Sequence, residues 1–83
     1  MQKTVKSFIL TEMDIVMKYH NKIIAIECKA TLSPSLSRGN HNAIADINPY
    51  TTFVVAPVKK GWPLKPEIDI VSLTELILQL KKL

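Results

Sequence analysis

The sequence predicts a small α/β domain in which helices pack on a mixed β-sheet. Three observations carry that prediction: five β-rich apolar runs, two amphipathic stretches opened by helix-capping residues, and a strand–helix–strand succession in mid-chain that implies parallel pairing. Eighty-three residues make one domain, 1–83, which buries only about 60 to 65 per cent of its unfolded surface, so a partner or a second copy would add stability. A hydrophobic fraction of 47% and a charged fraction of 22% exclude the disordered and collagen-like classes. No apolar run approaches the roughly 18 residues of a membrane span, and MQKTVKSFILTE holds too short an apolar stretch for a secretory signal. One cysteine permits neither an internal disulfide nor a multi-thiolate metal site, and the expected compartment is cytoplasmic.

In chain order, VKSFIL (5 to 10), MDIVMKY (13 to 19) and KIIAIECKA (22 to 30) read as strands, the last two joined at His20-Asn21, where Asn tolerates the positive φ of a two-residue hairpin turn. Ser33-Pro34 then offers an N-cap and a first-turn proline. Leu36, Asn40, Ala43, Ile44 and Ile47 share one face of a helix that must end before Asn48-Pro49. TTFVVAP (51 to 57) is continuously apolar, as in a central strand covered on both faces, and pairs in parallel with the third strand. Lys59, Lys60 and Lys65 surround Gly61-Trp62-Pro63 in what reads as a solvated, turn-rich loop with an aromatic plug. EIDIV (67 to 71) is a short fifth strand. Ser72-Leu73-Thr74-Glu75 is a capping box, and it starts a helix whose core stripe is Leu73, Leu76, Ile77, Leu80 and Leu83, with Leu78 projecting away. The order is β-β-β-α-β-β-α.

The third strand raises a question of charge. If His20-Asn21 is the loop, hairpin partners have numbers that sum to 41, so Asp14 faces Glu27 and Glu12 faces Lys29 on one side of the sheet. Cys28 then points to the other side with Met13, Ile15, Met17, Ile24 and Ile26, as a buried and inert core thiol. Facing carboxylates repel by up to about 1 kcal/mol when exposed. Two arrangements relieve this. A hard divalent cation such as Mg²⁺ would take the two carboxylates, with Lys29 placed beside a phosphate. Alternatively, the four groups with nearby lysines form a surface ladder of ion pairs. A zinc site at His20 and His41 has no companion cysteines. The formal charge of +4 suits a polyanion partner.

Asp14, then Glu27-Cys28-Lys29 in a strand, resembles the D…(D/E)xK core of the PD-(D/E)XK nuclease superfamily. Over Glu12 to Leu76, EMDIVM, IAIECKA, SPSLSRG, FVVAPVKKGWPL and IDIVSL look, in that order, like the C-terminal nuclease-like domain of prokaryotic AAA-type ATPases of uncertain function. The resemblance implies a restriction-endonuclease-like core with the N-terminal core helix missing. It implies Asp14 and Glu27 as metal ligands for Mg²⁺, Lys29 as the catalytic lysine beside them, and Arg38 as a basic position at the start of the following helix. Lys59, Lys60 and Lys65 would join Arg38 in holding nucleic acid. No GxxxxGK[ST] phosphate loop is present, so no ATP hydrolysis by that route is expected. Two functions follow: a metal-dependent nuclease, weak or inactive as an isolated chain, or a non-catalytic interaction or oligomerisation module that forms a homodimer or docks on an ATPase portion.

Overall fold

In the computed structural model, residues 4–5 and 12–83 are described. β2 (Ile15–Tyr19) and β3 (Lys22–Cys28) form an antiparallel hairpin. His20 (φ 51°) and Asn21 (φ 65°) are both left-handed, the pattern of a type I′ turn, whose twist matches that of the flanking strands. That turn sets the register from Tyr19↔Lys22 to Ile15↔Ile26, the expected sum of 41. β1 (Thr4–Val5) pairs antiparallel with Lys18 and Met17 of β2; the rest of the 5 to 10 run lies outside the described residues.

The first helix, α1 (Arg38–Ile47), starts four residues later than the Ser33-Pro34 signal suggests. Ser37 is the N-cap because Asn40 at the third helical position can reciprocate. The Asn40 N–H donates to Ser37 Oγ (3.0 Å), and the Ser37 N–H donates to Asn40 Oδ1 (3.0 Å). Three residues after Ser33 stands Leu36, which has no group with which to answer. Asn48, at φ 52°, ends the helix and donates its N–H to Ile44 O at 2.8 Å. The chain then enters β4 (Thr51–Val55), parallel to β3, with Thr52, Phe53 and Val54 all buried as a two-faced central strand requires.

Beyond β4 the structure adds a strand where the sequence reads as loop. β5 (Trp62–Lys65) pairs antiparallel with β6 (Ile68–Val71) across Pro66-Glu67, where Glu67 takes φ 66°. Pro63 cannot donate to a ladder, which suits an outer strand, and the register slips between Pro63 and Lys65. The sheet order is β1-β2-β3-β4-β6-β5, with β3, β4 and β6 parallel and the flanking strands antiparallel. The second helix, α2 (Leu73–Lys81), follows the Ser72–Glu75 capping box as expected.

The two helices cover opposite faces. Under α2 lie Ile24, Ile26, Phe53 and Val71, closed by Leu76 with Leu80 and Leu83. Under α1 lie Val16 and Ala25 with Ala43, Ile44 and Ile47, and beside them Val54, Ala56, Ile68 and Ile70 with Leu36. Met13 joins the α1 side, against the expectation of strand alternation, because residues 12–14 are a bend and not part of β2. Leu73 and Ile77, expected in the core stripe, are 62% and 48% exposed. The sheet engages the line of Leu76, Leu80 and Leu83, which leaves both residues on the flank of the helix. No helix among the described residues is long and apolar enough to cross a membrane.

Candidate functional site

Three parallel strands end on the same side of the sheet, and in open α/β sheets that carboxyl end is where ligands bind. β3 delivers Glu27, Cys28 and Lys29 to it, and the bend at 12–14 delivers Asp14 from the neighbouring strand. Each of the two acids is anchored by main chain from the opposite strand. The Asp14 N–H donates to Glu27 Oε1 (3.0 Å), and the Cys28 N–H donates to Asp14 Oδ2 (2.8 Å). Glu27 is 8% exposed, and its second oxygen, Oε2, lies 3.4 Å from Lys29 Nζ. The Lys29 N–H donates to Val55 O (2.9 Å), so the lysine continues the parallel ladder one residue past β3. Asp14, Glu27 and Lys29 are therefore brought together as the sequence anticipates.

Glu12 departs from that pattern. The ladder stops at Ile15↔Ile26, and the Glu12 carboxylate lies against Gly39 in the first turn of α1, not opposite Lys29; a Cβ on Gly39 would collide with it. The bend is held by Asn40, whose Nδ2 donates to Glu12 O at 2.6 Å and approaches Met13 Sδ at 3.7 Å. Asn40 is 2% exposed, so this one side chain both caps α1 and fixes the approach to Asp14. Its place on the inner face was legible in the sequence, and its bond to the bend was not. The spacing Ser37-x-x-Asn40 is a signal that could have found the cap.

Cys28 shares the α2-facing side with Ile24 and Ile26, as alternation requires, but it is exposed, not buried. Strand β3 carries it past the layer that α2 covers. Partial burial first, and then the negative charges of Asp14 and Glu27, push its thiol above the ordinary value of 9.0, so it is a poor nucleophile near neutral pH.

Arg38 is exposed at the first position of α1, on the same carboxyl side. Lys59 and Lys60 are exposed in the bends leading to Trp62, which pairs with Ile70 near the carboxyl end of β6. Lys65 is not with them: it pairs opposite Ile68, at the other end of β6, because the chain between Trp62 and Lys65 runs as a strand. Among the described residues no three of His, Cys, Asp and Glu converge as a metal-binding group. Glu27 Oε1 and Asp14 Oδ2 each accept a main-chain N–H, and Glu27 Oε2 faces Lys29 Nζ. Two oxygen-donor groups of this kind make no all-protein cage, and their chemistry suits only a hard cation that keeps water and phosphate oxygens as its other ligands. Comparison with protein-family models, with curated proteins and with solved structures returned no match.

Proposed function

We propose that the chain is a PD-(D/E)XK nuclease-like domain with a restriction-endonuclease-like core, related to the C-terminal part of prokaryotic AAA-type ATPases, and that it acts on the phosphodiester backbone of nucleic acid. One observation carries this reading: two carboxylates from adjacent strands and a lysine two residues beyond one of them meet at the carboxyl end of β3. Asp14 and Glu27 would hold Mg²⁺, which when bound supplies Lewis-acid charge to a phosphoryl oxygen and acidifies a ligated water. Lys29 directs its ammonium to where charge grows on the phosphate. Arg38, Lys59 and Lys60 hold the flanking backbone, and Lys65 reaches only a more distant phosphate. With two acidic ligands, binding of the cation is weak and nicking by the isolated chain is slow.

Thermal unfolding with and without millimolar Mg²⁺ or Mn²⁺ tests the metal half of the proposal. A cation at ten times its Kd stabilises by about 1.4 kcal/mol through mass action, or about 5–10 °C in a domain of this size. Wild type should gain that and Asp14→Asn should not. Metal-dependent cleavage, assayed on a single-stranded oligomer and on supercoiled DNA, present in wild type and absent in Lys29→Ala, tests the chemical half.

A second reading, a non-catalytic interaction module, is favoured by the exposed Leu73, Ile77 and Leu78 along α2. Sedimentation that showed a dimer broken by Ile77→Glu, together with midpoints insensitive to metal, would support the module and leave the nuclease reading without its basis.

A further inference from the structure

In the segment Lys59-Lys60-Gly61-Trp62-Pro63 only the two lysines enter the nuclease reading, and Trp62 has no part in it. Trp62 is the molecule's single tryptophan. It is 40% exposed on β5, an outer strand, where a large aromatic side chain gains little from the core. It pairs with Ile70, which lies under α1, so its side chain is on the α1-facing side of the sheet, and only the edge of β5 at Trp62 borders the concavity of about 200 Å³ between β5, β6 and α2, lined also by Gly61, Pro63, Asp69, Glu75 and Gln79. Glu75 Oε1 accepts the N–H of Gly61 (2.9 Å) and the N–H of Ser72 (2.9 Å), tying the approach to β5 to the start of α2.

Charge around the groove is divided. Asp69 and Glu75 stand inside it, while Lys59 and Lys60 are exposed on the preceding bends, Lys60 close enough to act on Glu75. Phosphate is repelled by Asp69 and Glu75 and attracted by the lysines. A second, more apolar concavity of about 490 Å³ lies on the other side of the first turn of α2, lined by Cys28, Lys29, Val55, Pro57, Ser72 and Leu73. On the α1-facing side the cross-strand row Glu27, Val54, Ile70 and Trp62 leads from the acid–lysine site to Trp62 across β3, β4, β6 and β5. Three strand spacings make that path about 14 Å, the rise of about four stacked nucleotides at 3.4 Å each.

We propose that Trp62 is a stacking platform for an unpaired base, and that the substrate of the acid–lysine site is single-stranded nucleic acid running from Lys29 to Trp62 with its phosphates on Lys59 and Lys60. The substrate class rests on the nuclease reading; base stacking on Trp62 is measured without it. A duplex keeps its bases stacked on one another and offers Trp62 only an end. Stacking is tolerant of sequence because every base has a π face.

The lone tryptophan supplies its own readout. Titration of wild-type protein with a single-stranded 12-nucleotide oligomer, without divalent metal, should quench Trp62 emission, and a blunt duplex of the same sequence should quench it at least tenfold less tightly. With an end-labelled oligomer followed by anisotropy, Trp62→Leu should lose about 5- to 150-fold in affinity, whereas Trp62→Phe, which keeps a ring, should stay within a few-fold of wild type. Lys59→Ala with Lys60→Ala should reduce the slope of log affinity against log salt by about 1.4, two phosphates at about 0.7 each. Emission unchanged by the oligomer, or equal affinity for duplex and single strand, overturns the inference. If the metal-dependent midpoint shift of wild type survives that outcome, the nuclease reading stands without the platform. Loss of the midpoint shift with quenching intact removes the nuclease reading and leaves Trp62 as a binding surface.

Discussion

Asn40→Ala is the substitution through which fold and site can be read together. The side chain is 2% exposed and serves two ends: it exchanges hydrogen bonds with Ser37 to cap α1, and its Nδ2 holds Glu12 O at 2.6 Å in the bend that presents Asp14. Removing a capping partner costs about 1 kcal/mol, and stranding a partly buried carbonyl adds about 1–2 kcal/mol. The total is about 2–3 kcal/mol, a large share of the roughly 5–15 kcal/mol that holds a domain together. Ser37→Ala removes the cap alone and should cost about 1 kcal/mol. Urea unfolding of the two variants measures the difference, since at an m-value near 1 kcal/mol/M the midpoint should fall by about 2–3 M for Asn40→Ala and by about 1 M for Ser37→Ala. In the folded fraction of Asn40→Ala, stabilisation by Mn²⁺ should be weaker than in Ser37→Ala, because the bend that carries Asp14 has lost its anchor. Equal midpoints for the two variants would refute the reasoning, for they would show that the bond to Glu12 contributes nothing beyond the cap.

Other outcomes follow from the same geometry. Gly61→Ala should destabilise by about 2 kcal/mol or more, because its Cβ would meet the main-chain carbonyl of Ile70; Gly39→Ala should stay within about 1 kcal/mol of wild type, since only the movable end of Glu12 obstructs it. Both are measured by urea unfolding. The Ser72 N–H foremost, then the Gly61 N–H, the Ser72 hydroxyl and the Lys60 charge, hold the Glu75 carboxyl below its ordinary 4.5 against the opposing effect of burial. Its contribution to stability is therefore complete above that value and is lost as pH falls through the lower folded value, so Glu75→Gln should flatten the acid limb of a pH–stability curve. The Cys28 thiol should react with iodoacetamide more slowly than a free thiol at about pH 8, and faster in Asp14→Asn, where one of the charges that raise its pKa is gone.

The hairpin was legible because a two-residue loop leaves no slack: once His20-Asn21 is the turn, every partner through Ile15↔Ile26 follows. Glu27 and Lys29 follow from that register, while Asp14, one residue beyond the ladder, is held beside them by its own bonds to Glu27 and Cys28. Legibility fails where the chain leaves the ladder. Residues 12–14 bend toward α1, so Met13 changes sides and Glu12 goes to Gly39, a choice made by Asn40 from 28 positions away. Cys28 was placed on the correct side, but burial depends on how far α2 extends, which alternation does not encode. β5 escaped notice because an outer strand needs no apolar period, and Trp-Pro-Leu-Lys has none. The start of α1 was misplaced since Ser33 and Ser37 are equal as caps until the residue three further on is asked to reciprocate.

The exchange of hydrogen bonds between Asp14 and Glu27 has a consequence for how this molecule can change. Each carboxylate clasps the other strand's amide, so the two acids act as the last rung of the β2–β3 ladder as well as the site's negative charge. An alanine at either position therefore opens the hairpin end at the same moment that it discharges the site, and a dead variant of that kind says nothing about chemistry. Asparagine at 14 or glutamine at 27 keeps a carbonyl to accept the amide and discards only the charge. The same constraint holds whatever the pair does: a chain with no use for the charges would still need an acceptor at both places, so the two acids can outlast any chemistry for as long as the fold is kept.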